Sequence, residues 1–234
     1  VDAQRAEQAA RRAEQAEVRR RHLDEFAAAL SGTDASEIQR AMTRFQSELE
    51  AARPAGRERG EHPADALETE ARALLDQARQ RIEALRLSKR MARYDLLARK
   101  SDLAARVESA ALAGQPIEAV VAEVQEAWAA LPVLPGAGER LLAQRLADAG
   151  TVTAERMAAG QETRESLLLD LEIALGLPSP DSRAEMRRER QLARLQDRFA
   201  TTAAQAAEPE DMLARWYATP APADPAALPR IAAV

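Results

Sequence analysis

The chain has 234 residues, among which there is no cysteine and no asparagine, and only 3% of its residues are aromatic. The lack of cysteine excludes disulfides, thiolate metal ligands and thiol nucleophiles. It also fits a reducing compartment, so we expect a cytoplasmic protein. Because β-branched and aromatic residues are scarce and no alternating runs occur, the composition argues against an all-β fold.

Long apolar runs and a targeting segment are also missing. No run approaches the roughly 18–20 apolar residues that cross a bilayer, and residues 1–21 lack the apolar stretch that a signal peptide needs. We therefore expect no membrane partner. The chain begins at Val1 within a helical pattern, which indicates further residues upstream.

What the chain does contain is alanine, with 55 residues, together with many Glu, Arg and Leu. These are strong helix formers, and they predict an all-α fold in which a long helical hairpin or coiled-coil region precedes a compact helical repeat bundle. The expected segments are N-terminal helices over 1–52, a loop over 53–63, a long heptad helix over 64–115 and a helical repeat region over 116–234.

Apolar residues recur at helical spacing in the N-terminal helices and in the long heptad helix. The first helix has its stripe at Leu23, Phe26 and Leu30. Asp34 followed by Glu37 resembles a capping box, which predicts the start of a second helix. The apolar residues of that second helix are Ile38, Met42, Phe45 and Leu49. The heptad positions of the long helix are Leu75, Ile82, Lys89, Leu96 and Leu103.

Two segments of the last region look alike. Trp128 and Trp216 each stand four residues before a proline. Arg145 and Arg230 begin similar short motifs further along, and these align when a gap of three residues is allowed between the two segments. This pattern predicts a repeated helix–turn–helix unit, in which a Trp near the end of one helix packs across the turn onto the next. We expect both Trp side chains in the core.

The C-terminal half resembles the bacterial domain-of-unknown-function 349 family. The resemblance is carried by the stretch LLLDLEIALGLPSP over 167–180, by the Trp216–Tyr217 pair and by five residues between them: Met186, Arg187, Gln191, Leu192 and Leu195. It covers about 118–234, and 1–117 only in helical style. Leu146 and Ile231 stand where the family has Phe. The resemblance implies a cytoplasmic, all-helical protein without assigned catalysis, and it supplies no catalytic residues.

Motifs for catalysis and for cofactors are missing. The only two histidines, His22 and His62, are forty residues apart, so a metal site is not expected. No nucleophile elbow is present, and Gly136-Ala-Gly138 is too short for a phosphate loop and lacks its lysine. We expect no cofactor, no metal and no enzymatic activity.

A basic stripe on the long helix is the one pattern with a binding meaning. Its candidate residues are Arg79, Arg86, Lys89, Arg90, Arg93 and Lys100. Over 79–106 there are nine basic and three acidic residues, whereas 118–175 has four basic and ten acidic residues. The first interpretation is that the basic helix is neutralised by the acidic half or flanks a coiled coil. The second is a ridge that contacts the phosphates of RNA or DNA, with strong salt dependence.

Trp216 and Tyr217 offer an alternative to their expected place in the core, because an exposed Trp–Tyr pair is a common anchor for a protein partner. The leading functional hypothesis is a non-catalytic, elongated helical scaffold or adaptor that binds a protein partner. Nucleic-acid binding through the basic stripe is the alternative. The sequence leaves the oligomeric state open.

Overall fold

The computed structural model describes residues 2–51, 66–200 and 208–233. Over these ranges the chain forms nine α-helices and no strand, which confirms the all-α prediction. The helices are α1 (Asp2–Ala29), α2 (Ala35–Ala51), α3 (Ala66–Leu112), α4 (Glu118–Ala129), α5 (Ala137–Asp148), α6 (Ala154–Leu175), α7 (Ala184–Ala200), α8 (Pro209–Ala218) and α9 (Ala227–Ala232).

Most helix ends follow their local sequence signals. Asp34 accepts the backbone N–H of Ser36 at 2.7 Å and so caps the start of α2, as the capping pattern predicts. α6 ends at Gly176, whose φ of 70° lies in the left-handed region that a residue with a Cβ rarely adopts. The predicted loop at 53–63, which includes His62, lies outside the described residues, as do residues 201–206 of the predicted Arg-rich helix.

The prolines after residue 219 predict a mostly extended tail until residue 231, and the structure shows that this prediction is wrong. Ala227–Ala232 forms α9, although Pro229 lies within it. Pro229 is in the first turn, where the backbone N–H groups have no acceptor inside the helix, so the missing N–H costs no hydrogen bond. Asp224 accepts the N–H of Ala226 at 2.9 Å in the turn that leads into this helix.

The chain divides into two compact units, Val1–Ala92 and Arg93–Val234, and the division falls inside α3. The heptad pattern predicts the long helix as a single segment, whereas the structure divides it between the two units. Its first half contributes to the core of one unit and its second half to the core of the other. The first half of α3 buries Ala71, Ala78 and Ile82, and the second half buries Leu97, Ala104 and Val107.

The first unit has an apolar core. The predicted stripes of α1 and α2 meet there, and the rings of Phe26 and Phe45 stack with centroids 4.5 Å apart. His22 donates to or accepts from Glu48 at 2.6 Å across the same pair of helices. The first part of α1 is exposed at every described side chain up to Val18, as expected of a helix made of Ala, Glu, Gln and Arg.

The second unit buries charge as well as apolar surface. Among the described residues, all the buried polar or charged side chains belong to it: Lys100, Ser101, Glu108, Arg145 and Glu172. α6 also approaches the chain closely at Gly160, where a Cβ would lie 1.6 Å from the carbonyl oxygen of Pro220. Within the described ranges, no helix has the length and apolar content needed to span a bilayer.

Candidate functional site

A cation, a Trp and a carboxylate meet in the interior of the second unit. The ammonium of Lys100 lies 4.5 Å from the ring centroid of Trp128 and donates to both carboxylate oxygens of Glu139, at 2.5 and 2.6 Å. Burial raises the pKa of Glu139, but hydrogen bonds from Lys100, from the Leu134 backbone N–H and from the Trp128 side chain outweigh burial and lower it overall. The cation is therefore neutralised on the face of the ring.

A buried Arg–Glu pair lies beside this group. Arg145 donates two parallel hydrogen bonds to Glu108, both at 2.7 Å, and the two side chains are 2% and 1% exposed. Arg145 also donates to Ser101 at 2.7 Å and to the carbonyl oxygen of Tyr217 at 2.6 Å. These contacts compensate the desolvation of both charges. Together these residues are called here the Lys100 set: Lys100, Glu108, Trp128, Glu139 and Arg145.

A second group of residues in this unit, on and around α6, α8 and α9, repeats the arrangement of a cation stacked on a Trp ring beside a paired arginine and glutamate. The guanidinium of Arg164 lies 4.5 Å from the ring centroid of Trp216, and Arg230 donates to Glu172 at 2.7 Å. Arg230 also donates to Glu165 at 2.9 Å. The second group is called here the Arg164 set: Arg164, Glu172, Trp216, Asp224 and Arg230.

The spacing along the chain matches between the two sets. Lys100 precedes Glu108 by eight residues, and Arg164 precedes Glu172 by eight. An acidic residue, Glu139 in one set and Asp224 in the other, precedes the paired arginine by six. The Trp and Arg positions could be predicted from the sequence, but the carboxylates and the cations were missed. Their signal is the shared eight-residue spacing from cation to carboxylate, because the two Gly-x-Pro ends lie two residues out of register with it.

The two sets differ at the cation. Among the described residues, no carboxylate forms an ion pair with Arg164, whose one hydrogen bond goes from Nε to the carbonyl oxygen of Thr219 at 2.9 Å. Asp224 instead accepts from the amide of Gln161 at 3.1 Å. Burial lowers the pKa of Arg164 to about 10, and proximity to Arg145 adds to this effect. The Nε1 of Trp216 is buried without a hydrogen-bond partner.

A cavity of about 130 Å³ lies next to these unpaired groups. Its lining includes Arg164 and Trp216 together with the carboxylates of Glu165 and Asp224. Both carboxylates already accept hydrogen bonds from other residues, Glu165 from Arg230 and Asp224 from Gln161. The cavity lining thus holds one guanidinium without a carboxylate partner and two carboxylates that other residues already engage.

The predicted basic stripe divides into residues that are paired and residues that are not. Lys100 is 1% exposed within the Lys100 set, and Arg93, 22% exposed, pairs with Glu210. Arg79 is exposed but pairs with Asp76 at 2.6 Å. Carboxylates of the same chain thus pair with half of the stripe, although only Glu139 among them belongs to the acidic region 118–175.

The remaining three residues of the stripe lie together on an exposed stretch of α3. Arg86, Lys89 and Arg90 are exposed, and none forms an ion pair with a described carboxylate. On the same stretch, Leu87 and Met91 are 51% and 58% exposed. Residues four apart lie on one face of a helix, so Arg86 and Arg90 form a basic row beside the apolar row of Leu87 and Met91. The five residues are called here the α3 surface.

The second Arg-rich segment is also largely neutralised. A row of arginines at helical spacing faces α6 and its end, where the partners include Glu165, Asp170 and Ser179. The arginines of this row are Arg183, Arg187, Arg190 and Arg194. On α7 the charged row thus faces the protein, while Leu192 and Leu195 are 59% and 49% exposed.

The proposed Trp–Tyr anchor is mostly interior. Trp216 is 6% exposed and packs with Leu168 and Ala227, and its ring meets that of Tyr217 edge to face. Tyr217 is partly buried, and burial raises the pKa of its hydroxyl. Both rings therefore serve the core that the repeat pattern predicts for the Trp residues.

Other sites for chemistry are few in the described part of the chain. There, no group of three or more His, Asp or Glu side chains is placed to hold a metal ion. A wider cleft of about 420 Å³ is lined by Arg145, Asp148 and Arg156, among others. Arg145 pairs with Glu108, and Asp148 accepts from Arg156 at 3.0 Å, so these charges are already compensated.

Comparison with known proteins adds no family to this description. No protein-family model, curated protein or solved structure matches the chain. The similarity to the domain-of-unknown-function 349 family therefore stays a prediction.

Proposed function

We propose that the chain is a non-catalytic helical adaptor of the cytoplasm that binds an acidic segment of a protein partner through the α3 surface. The observation that carries the proposal is the exposed pair of rows on α3, basic at Arg86 and Arg90 and apolar at Leu87 and Met91. Both kinds of group are left unsatisfied by the described residues. A partner that satisfies both must supply acidic and apolar side chains together.

An amphipathic helix with one acidic edge has this chemistry. Its apolar side chains would cover Leu87 and Met91, and its carboxylates would face Arg86, Lys89 and Arg90. The apolar contacts supply most of the affinity, while the charges select the partner and its orientation. The exposed Leu192 and Leu195 give further support to a protein-binding role, because exposed apolar clusters commonly mark interaction sites.

Nucleic-acid binding is the second candidate, supported by the three unpaired basic residues of the same surface. Its support is weaker than the sequence suggested. The stripe from Arg79 to Lys100 would have extended about 32 Å, but Arg93 and Lys100 form ion pairs inside the protein. Phosphates also offer nothing to Leu87 and Met91, and Tyr94, the aromatic residue nearest in sequence, packs against the core.

The test begins by replacing Leu87 with a photo-crosslinking amino acid in the full chain inside its host cell. We expect crosslinks to a peptide segment rich in Asp, Glu and apolar residues, which mass spectrometry identifies. A synthetic copy of that segment should bind the purified chain. Leu87→Ser/Met91→Ser should weaken this binding about tenfold or more, and Arg86→Glu/Lys89→Glu/Arg90→Glu should abolish it.

The matched control reverses three other exposed arginines of the same unit, Arg40→Glu/Arg44→Glu/Arg81→Glu, which should leave binding unchanged. A 20-nucleotide RNA and a DNA duplex are titrated in parallel at two salt concentrations. Salt-sensitive RNA or DNA binding that is insensitive to Leu87→Ser/Met91→Ser would contradict the adaptor and favour the second candidate. Binding of the acidic segment that survives the charge reversal would contradict the proposed surface.

A further inference from the structure

The Lys100 set shows what completes a cation stacked on Trp in this fold. There the carboxylate of Glu139 accepts from Lys100 Nζ while Lys100 stacks on the Trp128 ring. The cation on the ring is thus paired with a carboxylate of the same unit, although Lys100 is 1% exposed.

The Arg164 set also stacks a cation on a Trp ring but lacks such a carboxylate. Arg164 stacks on Trp216 at the same 4.5 Å, but its terminal nitrogens donate no hydrogen bond to a described residue. Trp216 is 6% exposed, and its Nε1 has no acceptor. A buried N–H without an acceptor costs about 1–3 kcal/mol, so native proteins rarely leave one unless something else occupies the site.

Two sequence differences between the sets explain why Arg164 has no carboxylate partner. Asp224 stands where the first set has Glu139, and its side chain is shorter by one methylene group. Gln161, which corresponds to Leu97 of the first set, holds the Asp224 carboxylate at 3.1 Å. The residue that could have neutralised Arg164 is thereby bound elsewhere, and the cavity of about 130 Å³ lies beside the unpaired donors.

We propose that this cavity binds a carboxylate group supplied from outside the chain, with the guanidinium of Arg164 as its donor and the Trp216 ring as the surface on which that guanidinium stacks. The incoming group takes the role that Glu139 has in the Lys100 set. Arg164 suits it because a guanidinium offers two parallel N–H groups to a carboxylate. The uncompensated burial that lowers the pKa of Arg164 to about 10 is relieved by such a ligand.

The cavity, of about 130 Å³, has room for a carboxylate with a short aliphatic stem. Two sources share this chemistry, a small organic acid and an acidic side chain of a partner protein. The site lies within 161–228 and does not depend on the α3 surface or on the function proposed for it.

The test follows the two indole N–H signals of the ¹⁵N-labelled full chain by NMR, since Trp128 and Trp216 are the only Trp residues. The chain is titrated with sodium acetate, with sodium succinate and with a blocked tetrapeptide that carries one Glu. Sodium chloride at equal ionic strength and the matching Gln peptide serve as controls. We expect a saturable shift of the Trp216 signal, because its ring stacks with the guanidinium that binds the carboxylate. The Trp128 signal should stay in place, because the cation on that ring already pairs with Glu139.

Two variants test the donor. Arg164→Gln should weaken the binding about tenfold or more, and Arg215→Gln, which removes an exposed arginine next to Trp216, should leave it unchanged. If Arg164→Gln does not fold, the wild-type titration still decides, because Trp128 is an internal control.

A shift with acetate or succinate supports the site and assigns it to small acids. A shift with the Glu peptide alone supports it and assigns it to a protein partner. The proposal is overturned if no carboxylate shifts the Trp216 signal saturably, if sodium chloride or the Gln peptide shifts it equally, or if folded Arg164→Gln binds as tightly as the wild type.

Discussion

The Lys100 set and the Arg164 set place the same kinds of residue at matching spacings, and they differ in whether the cation on the Trp ring is neutralised. In the Lys100 set the carboxylate comes from Glu139 within the same unit. In the Arg164 set the corresponding Asp224 binds Gln161, and Arg164 keeps an unpaired charge beside a cavity. The comparison shows how one arrangement serves as core in one place and as a candidate binding site in another.

The comparison also separates stability from function. A fully paired buried network fixes the packing of its helices but leaves no donor for a ligand. An incompletely paired one costs stability, and such local costs tend to occur at functional sites. We infer that the Lys100 set stabilises the unit and that the Arg164 set is where the unit binds the external carboxylate.

The largest effect should come from breaking the two Arg–Glu pairs. Arg145→Met leaves Glu108, 1% exposed, without a counter-charge and should cost about 3–5 kcal/mol of unfolding free energy. Arg230→Met should cost about 2 kcal/mol, because Glu172 keeps a hydrogen bond from Ser179 at 2.6 Å. Urea unfolding followed by Trp fluorescence measures both, since both Trp residues belong to this unit.

The control for this pair is the double variant Arg145→Met/Glu108→Leu, which removes both charges. It should recover most of the lost stability, because a buried ion pair replaced by apolar side chains is often neutral. A double variant as unstable as Arg145→Met alone would show that the cost comes from packing.

The next effect concerns the close approach of α6 to the turn after α8. Gly160→Ala places a Cβ 1.6 Å from the Pro220 carbonyl oxygen, so the backbone must move, at a cost of about 3 kcal/mol. Leu96, the corresponding position in the first set, already carries a large side chain, so this constraint is specific to the Arg164 set. Ala159→Ser, on the exposed neighbour, is the control. Equal unfolding midpoints for Gly160→Ala and the wild type would contradict the close approach.

The two cations should respond differently to removal. Lys100→Met leaves Glu139 without its cation and should cost about 2 kcal/mol. Arg164→Met leaves no carboxylate unpaired, so the change in stability should stay within about 1 kcal/mol. Chemical denaturation of both variants measures the difference. A larger loss for Arg164→Met than for Lys100→Met would reverse the comparison.

The smallest effect should be pH-dependent. Glu139→Gln should cost about 1 kcal/mol at pH 7, where the carboxylate is ionised. Because the folded-state pKa of Glu139 lies below the ordinary value of 4.5, this contribution is complete above 4.5 and is lost as the pH falls through the folded-state pKa. The difference between wild type and variant should therefore shrink from pH 7 to pH 3. A constant difference would contradict the hydrogen bonds to the ionised group.

The helical class and the apolar core of the first unit could be predicted from the sequence. The stripes of α1 and α2 could be predicted because apolar side chains at helical spacing have one place to go. Phe26, Ile38 and Phe45 all lie in the predicted core. Helix ends at Asp34 and Gly176 carried their own local signals.

The buried charges were beyond the same reasoning. Lys100 and Arg93 look on the sequence like their exposed neighbours Arg86 and Arg90, because helical periodicity gives the face of a residue but not what covers that face. Glu139 and Glu210, the residues that neutralise them, are 39 and 117 residues away along the chain. Only the three-dimensional fold brings them together.

The most direct test of the difference between the two sets compares the indole N–H proton shifts of Trp128 and Trp216 in the free protein. We predict that Glu139→Gln, which removes the partner of the cation on the Trp128 ring, moves the Trp128 signal, and that Asp224→Asn leaves the Trp216 signal where it is. A Trp128 signal that is unmoved by Glu139→Gln, or a Trp216 signal that moves with Asp224→Asn, would contradict this difference.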